Sequence, residues 1–375
     1  MNKYRIVFLI LILPISGFAA DITEKLSISG TETTVYQWLD KSQGDVPNKD
    51  RGSTVIDFNV SFRPTDNDEF FIRATFAKGS GFHSESSLYP FTLNPNADDL
   101  FVDSHNINGH SRDHLQELWY AHKFNIKKDI SLKLTAGIID STAFIDDNVY
   151  AADEVSQFMN EAFVHNPLAN LPSYDAGVAA EFETGDFHIR AVGMNSKNDY
   201  DRDYNYFALQ LGYKLDTEIG EGNYRIYGFT TNKKFDKWQK SEDEKLNKGS
   251  LKGIGSSFDQ QLIKDVLGAF FRAGWQDDSA QIDYNKMVSF GLNLNGSIWG
   301  RKDDEVGIGY AYLKSPSKAQ LKRTNVLESY VKFKLFSYNV LNSDITLDYQ
   351  YIQDKYPQEE TKAGHIYGLR FNISF

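Results

Sequence analysis

One stretch of the chain, residues 140–173, concentrates side chains that hydrogen-bond polar solutes. Its acids and amides include Asp140, Asp146, Asp147, Asn148, Asp153 and Asn160. Carboxylates accept hydrogen bonds, and amides both donate and accept them. The sequence lacks the G-x-S-x-G, H-E-x-x-H and phosphate-loop patterns, and its Ser and His residues are too scattered to suggest a catalytic pair. We therefore predict no enzyme, no metal site and no cofactor.

The segments that must position this stretch alternate apolar and polar residues. In the last one, Tyr367, Leu369 and Phe371 share one face with Ile373 and Phe375. Alternation with a period of two predicts strands that are apolar on one face and polar on the other. We predict about sixteen strands, near 22–36, 54–63, 69–78, 114–124, 131–139, 174–183, 186–194, 203–214, 223–232, 251–261, 266–276, 285–296, 304–313, 325–336, 343–353 and 365–375.

The connections between these strands alternate in length. Those after odd-numbered strands are mostly long, as in 37–53, 79–113 and 140–173, and those after even-numbered strands are mostly short. Long loops at one end and tight turns at the other are typical of an outer-membrane barrel. The predicted fold is therefore all-β: a transmembrane antiparallel β-barrel of about sixteen strands, which encloses a water-filled channel.

The stretch 140–173 is then the third external loop. Val155, Phe158, Met159 and Phe163 fall at helical spacing, which predicts a short helix capped by Asp147 or Asn148 and ending before Pro167. Its apolar face must be buried, and the interior wall of the barrel offers a place. We expect the loop to fold inward and narrow the pore; a solvated loop over the rim is the alternative.

Both ends of the chain indicate export to the outer membrane of a Gram-negative bacterium. Lys3 and Arg5 precede an apolar run, and small residues follow it, so residues 1–20 are predicted to be a signal peptide cleaved after Ala19 or Ala20, leaving the barrel as residues 21–375. The aromatic terminus Phe375 resembles the signal that hands such barrels to their assembly machinery. The outer face is expected to contact lipid and lipopolysaccharide, and a homo-oligomer is compatible with this architecture.

The composition excludes several other classes of protein. The formal net charge is −11, which disfavours a nucleic-acid partner, and the absence of cysteine excludes disulfide frameworks and thiolate metal sites. The polar faces of the predicted strands should line the channel. They contribute Arg73, Glu117, Trp119 and Arg272 to its wall, although Trp119 is equally compatible with an interfacial aromatic girdle.

Three blocks resemble a known family. The stretch from Gly137 to Gly177, GAFFRAGWQDD at 268–278 and WGRKDDEVGIGYAY at 299–312 are similar to the carbohydrate-selective porin OprB family. The resemblance implies a sixteen-stranded outer-membrane barrel that passes sugars by diffusion, with its third loop at the constriction.

Sugar passage needs replaceable hydrogen bonds and an aromatic surface for the C–H face of a pyranose. The candidate constriction residues are Arg73, Glu117, Trp119, Asp140, Asp146, Asp147, Asn148, Asp153, Asn160 and Arg272. A porin for sugars and other small hydrophilic solutes is the favoured function. The alternatives are a general or cation-preferring diffusion porin, suggested by the acidic charge, and a barrel that sheathes an export or electron-transfer assembly.

Overall fold

The computed structural model describes residues 20–82, 89–97, 104–198, 202–239 and 247–375. The predicted signal peptide, apart from Ala20, lies outside these residues. The strands are β1 (Ala20–Thr23), β2 (Leu26–Gln43), β3 (Lys49–Thr65), β4 (Asp68–Ser80), β5 (Leu115–Lys127), β6 (Ile130–Ile139), β7 (Asp175–Thr184), β8 (Phe187–Lys197), β9 (Asp203–Thr217), β10 (Gly220–Thr231), β11 (Phe235–Asp236), β12 (Lys248–Gly249), β13 (Lys252–Ile263), β14 (Leu267–Gln276), β15 (Lys286–Asn295), β16 (Glu305–Lys314), β17 (Arg323–Tyr338), β18 (Leu341–Lys355) and β19 (Lys362–Ser374).

Within the described part of the chain, the sixteen strands β2–β10 and β13–β19 form one closed antiparallel barrel. Each strand pairs with its neighbours in sequence, and the ring closes where β19 pairs with β2, with Tyr367 opposite Trp38. The short β1 pairs with the start of β2, whereas β11 and β12 pair only with each other. The prediction of a sixteen-stranded antiparallel barrel is confirmed.

Two-residue turns connect several pairs of strands at the end of the barrel that holds the termini. Between β7 and β8, Gly185 has φ +58°, and between β17 and β18, Asn339 has φ +54°. Two-residue hairpins often require positive φ, which glycine and asparagine tolerate best. These turns therefore follow from local sequence.

The external connection predicted at 37–53 is wrong in extent. The strand β2 continues to Gln43 and β3 begins at Lys49, because pairing persists as far as Leu39 opposite Lys49. Alternation also persists: Tyr36 and Trp38 face outward, while Gln37 is buried. Cross-strand pairing has here extended the strands through polar positions.

The outer surface of the barrel is apolar and the inner wall is mixed. Outward side chains such as Phe76, Val178 and Ile254 are exposed, as a lipid-facing band requires. The inner wall also carries apolar residues, because Phe270 and Tyr330 are buried there within a hydrophobic cluster. No helix in the described ranges is both long enough and apolar enough to cross a membrane.

Candidate functional site

The connection from β6 to β7, residues 140–174, contacts strands on widely separated parts of the barrel and is called the lumen loop below. Its Asn148 donates from Nδ2 to Ser257 Oγ on β13 at 3.1 Å. At its far side, Val155 O accepts from Asn372 Nδ2 on β19 at 2.7 Å. A segment bonded to the inward faces of strands from β9 to β19 lies within the ring of strands.

A buried ion pair between Asp146 and Arg272 anchors the lumen loop. Both side chains are fully buried, and Arg272 Nε lies 3.1 Å from Asp146 Oδ2. The guanidinium also donates to the main-chain oxygens of Asp146, at 3.0 Å, and of Phe163. Asp146 Oδ2 in turn accepts from the amide of Asn166 at 2.7 Å. One ion pair therefore ties two separate parts of the loop to β14.

Asn148 and Asn160 also hold the loop in place. Asn160 Oδ1 caps the short helix α1 (Glu161–Val164) by accepting from the amide of Ala162, and its Nδ2 donates to Gln350 Oε1 on β18 at 2.9 Å. Its main-chain amide donates to Glu328 Oε2 on β17 at 3.0 Å. Among the predicted constriction residues, Asp146, Asn148, Asn160 and Arg272 are thus buried anchors.

The predicted helix over Val155 to Phe163 is wrong, and its proposed caps Asp147 and Asn148 do not cap it. The α-helix is confined to Glu161–Val164. The reason is competition for backbone groups: the amides of Met159 and Asn160 donate to Glu328, and the carbonyls of Glu154 and Gln157 accept from Arg370. Charged side chains of the barrel wall replace the intrahelical hydrogen bonds.

Aromatic rings fill the space between the lumen loop and the wall. The ring of Phe158 lies 5.0 Å from those of Phe163 and Tyr330, and 5.4 Å from that of Phe270, measured between centroids. Gly309 on β16 leaves room for this packing, since a Cβ there would lie 2.9 Å from Phe163 Cε1. The apolar face of the loop is therefore buried against the inner wall.

Asp147 differs from these anchors because it keeps contact with the lumen. Its side chain is 30% exposed, and its Oδ1 lies 3.0 Å from both Arg190 Nη1 on β8 and Arg225 Nε on β10. Arg225 Nη1 in turn lies 2.6 Å from Asp259 Oδ2 on β13. On the other side of Asp147, Arg190 Nε lies 3.5 Å from Glu181 Oε2.

This chain of ion pairs extends along the wall as far as β4. Lys133 Nζ lies 3.6 Å from Glu181 Oε1 and 5.7 Å from the centroid of the Trp119 ring. Trp119 Nε1 donates to Glu117 Oε2 at 3.0 Å, and Glu117 Oε1 lies 3.1 Å from Arg73 Nη1. The connected residues, called the charge belt, are Arg73, Glu117, Trp119, Lys133, Glu181, Arg190, Asp147, Arg225 and Asp259.

The belt resolves the open question about Trp119. It lies on the lumen face with Glu117, two residues away on the same strand, and stacks on Phe71 with centroids 4.9 Å apart. It therefore does not belong to an outer aromatic girdle. The neighbouring residue Leu118 faces outward and is 45% exposed.

Asp140 and Asp153 make mainly local contacts. Asp140 caps the 3₁₀ turn Ser141–Ala143 by accepting from the Thr142 amide at 2.9 Å, and it accepts from Ser173 Oγ at 2.9 Å. Asp153 is exposed and accepts from the Val155 amide at 2.9 Å. These acids shape the loop, and of the two only Asp153 is open to solvent.

The pKa values of the adjacent acids Asp146 and Asp147 are shifted in opposite directions. Burial raises the pKa of Asp146, and the opposing attraction of Arg272 does not fully cancel this effect. Burial also acts to raise the pKa of Asp147, but Arg225 and Arg190 together outweigh it and hold that pKa below its ordinary value. Asp147 consequently stays ionised across the neutral range, between Arg190 and Arg225.

Sequence reasoning missed Lys133, Glu181, Arg190, Arg225 and Asp259 as site residues. The alternation of β8 points Arg190 inward, which is a usable signal, but nothing local indicates that it meets Asp147. A second inward segment, residues 89–97, was also missed. Its Pro95 carbonyl accepts from Gln37 and Gln350, each at 2.8 Å.

Comparison with known proteins agrees with this architecture. Residues 68–375 match the family described as carbohydrate-selective porin, OprB family. A protein of Aquifex aeolicus (strain VF5), described only as uncharacterized, is 30% identical over 344 residues, which cover 92% of this chain and 93% of that protein.

Solved structures show the same fold. The high-pH structure of Pseudomonas putida OprB aligns with a TM-score of 0.73 at 14% identity, covering 94% of each chain. The low-pH structure of that protein gives 0.55 at 13% identity, covering 94% of this chain and 93% of that one. The trimer form of Vibrio cholerae OmpT gives 0.55 at 14% identity, with coverages of 93% and 99%.

The family match spans most of the chain, and the closed barrel with its lumen loop accounts for how a polar path crosses a membrane. The chain belongs to the carbohydrate-selective porin OprB family and is an outer-membrane porin of a Gram-negative bacterium through which sugars diffuse.

Proposed function

We propose that sugars cross this barrel along the charge belt, between the strands from β4 to β13 and the lumen loop. The observation that carries the proposal is the alternation of sign along one continuous row of lumen-facing side chains. Its cations and anions are equal in number, so the belt offers donors and acceptors without a net charge. A neutral polyhydroxyl solute can exchange hydrogen bonds along such a row at little net cost.

Part of the belt is exposed and therefore accessible to solutes, whereas Glu117, Arg225 and Asp259 are buried. The side chains of Lys133, Arg73 and Asp147 are 35%, 33% and 30% exposed, whereas the anchor Arg272 is fully buried. The partly exposed ring of Trp119 supplies an aromatic surface beside them. Of the ten constriction residues predicted from sequence, Arg73, Trp119, Asp147 and Asp153 are exposed or partly exposed and are therefore proposed to meet the solute. The buried Glu117 is proposed to orient Arg73 and Trp119.

Planar-bilayer recordings test this proposal through charge. Removing one cation with Arg190→Gln should make the belt net negative and shift the reversal potential in a salt gradient towards cation selectivity. Asp147→Asn should shift it in the opposite direction. Both variants should raise the sugar concentration that half-blocks the ion current, by up to about tenfold, because each weakens charge-assisted hydrogen bonds.

The matched control is Arg63→Gln, at the end of β3 near the turns. Arg63 also pairs with a carboxylate, Glu69, at 2.9 Å, but its side chain is 63% exposed and lies outside the belt. If Arg63→Gln and Arg190→Gln have equal effects, or if opposite charge changes shift selectivity in one direction, the belt is not the path. Ion conduction without any sugar dependence would favour a general diffusion porin, which the net charge of −11 also suggests.

The lumen loop also bears on the alternative functions. It occupies the space inside the barrel that a partner chain would need, which argues against a sheath for another assembly. We infer no catalytic activity.

We further propose how the chain reaches and contacts the membrane. Residues 1–20 are proposed to direct export and to be removed, leaving 21–375. The apolar outer face is proposed to contact lipid and lipopolysaccharide. Phe375 is proposed to engage the barrel assembly machinery. The same outer face is compatible with contacts between copies of the chain in a homo-oligomer.

A further inference from the structure

A cavity lies at the external mouth of the barrel, apart from the charge belt. It encloses about 470 Å³ and is lined by residues from several external connections, among them Phe235, Asp236, Trp238, Gln281, Asp283 and Tyr356. This volume falls in the range of small-molecule sites. We propose that this cavity, called the vestibule site, is a sugar-binding subsite that captures solutes before they reach the charge belt.

The aromatic residues of the vestibule are fixed by contacts outside the cavity. Trp238 Nε1 donates to the carbonyl of Asp278 at 3.1 Å. The ring of Phe235 packs edge-on against Tyr204, with centroids 5.1 Å apart. Lys362 Nζ lies 5.1 Å from the centroid of the Tyr356 ring. All three rings are partly exposed, so each offers apolar surface at a defined place.

Polar groups surround these rings. Asp236 is oriented by ion pairs with Arg202, whose Nη1 lies 3.1 Å away, and with Lys248. Gln281 and Asp283 are exposed at the same cavity. Aromatic faces combined with amide and carboxylate groups match a pyranose, which has an apolar C–H face and a rim of hydroxyl groups. A neutral sugar fits this combination better than an anion or a fully apolar ligand.

The floor of the vestibule connects it to the lumen loop. Leu321 lines the cavity and belongs to the buried cluster that contains Phe158 and Phe163, and Tyr356 packs against that cluster. The vestibule therefore lies on the external side of the loop. A solute leaving it must pass the loop to reach the turns at the other end, so the site would raise the local sugar concentration at the entrance.

The vestibule site rests on the proposed sugar passage, and the following experiment distinguishes it from the charge belt. The full-length protein is reconstituted in planar bilayers, and maltose and glucose are titrated from the external side while ion current is recorded. Trp238→Ala with Tyr356→Ala should raise the half-blocking concentration about threefold to tenfold, and leave the salt conductance within the spread of wild type. Trp238→Phe, which keeps an aromatic ring, should stay within twofold of wild type.

The control is Trp275→Ala, which removes an outward-facing ring that is 44% exposed on β14. The half-blocking concentration is also compared between the two sides of the bilayer. Sugar added externally should block at a lower concentration than sugar added from the opposite side, and the double variant Trp238→Ala with Tyr356→Ala should abolish this difference. Unchanged block and unchanged asymmetry in the double variant would overturn the vestibule site. If Arg190→Gln still weakens the block in that case, sugar passage along the belt stands; if wild type shows no sugar effect, both proposals fail.

Discussion

Replacing Arg272 with Met should release the parts of the lumen loop around Asp146 and Asn166 without unfolding the barrel. Methionine retains much of the volume and removes the charge. The buried carboxylate of Asp146 then loses its ion pair, and the carbonyls of Asp146 and Phe163 lose a donor. The barrel strands stay paired through their own backbone hydrogen bonds, so the loop should loosen first.

The expected size of the effect follows from burial. Arg272 and Asp146 are both fully buried, and removing one partner of a buried pair costs about 3–5 kcal/mol. At about 1.4 kcal/mol per factor of ten, the equilibrium between the packed and released loop shifts by two to four orders of magnitude. The anchors at Glu328 and Arg370 are separate, so only the part of the loop near Asp146 should open.

Hydrogen exchange read by mass spectrometry measures this release residue by residue. The amide of Asn166 donates to Asp146 Oδ2 at 2.7 Å, so its exchange should accelerate about 100-fold or more in Arg272→Met. The amide of Asn160 donates to Glu328 and should exchange as in wild type, which provides an internal reference. Single-channel conductance should rise because the loop no longer narrows the lumen.

Two further variants control the interpretation. Combining Arg272→Met with Asp146→Asn removes both charges and should recover a large part of the lost protection. Arg301→Met breaks the pair with Asp304 at the other end of the barrel, where Arg301 is 55% exposed, and should leave exchange at Asn166 as in wild type. Wild-type exchange at Asn166 in Arg272→Met would refute the assignment of this ion pair as an anchor of the lumen loop.

Three other variants have direct readouts. Burial raises the pKa of Glu154, a residue of the lumen loop, to about 7, so cation selectivity should fall as pH drops through about 7. Glu154→Gln should reduce this dependence in reversal-potential measurements. Gly309→Leu should displace Phe163 and raise single-channel conductance, whereas an unchanged conductance would contradict the packing assigned to that glycine. Deleting Phe375, whose amide and carbonyl exchange hydrogen bonds with Gly30, should lower the amount of folded barrel in outer-membrane fractions; normal levels would count against its role in assembly.

The pH effect has a definite sign. A carboxyl whose pKa is raised in the folded state destabilises the packed loop when it is ionised. For Glu154 that penalty is fully present above about pH 7, shrinks as the pH falls, and is absent below its ordinary value near 4.5. Acidification to that range should therefore slow hydrogen exchange of neighbouring loop amides, after correction for the intrinsic pH dependence of exchange.

The alternation of side chains was sufficient to predict the barrel because it is a local property of each strand. The strand period, the lengths of the connections and the aromatic terminus are all readable without knowing what pairs with what. Where pairing itself set the boundary, as in the extension of β2 to Gln43, prediction failed by several residues. The short helix failed for the same reason, since Glu328 and Arg370 bind backbone groups that a helix would have used.

By itself the sequence determined the class of the molecule: an exported barrel with a long, acidic third loop and a mixed inner wall. Only the tertiary structure decided which polar residues hold that loop and which face the solute. Asp146 and Asp147 are neighbours in the chain, yet one is buried against Arg272 and the other is partly exposed beside Arg190 and Arg225. Their partners lie on β14, β8 and β10, and only the closure of the ring brings those strands around one loop.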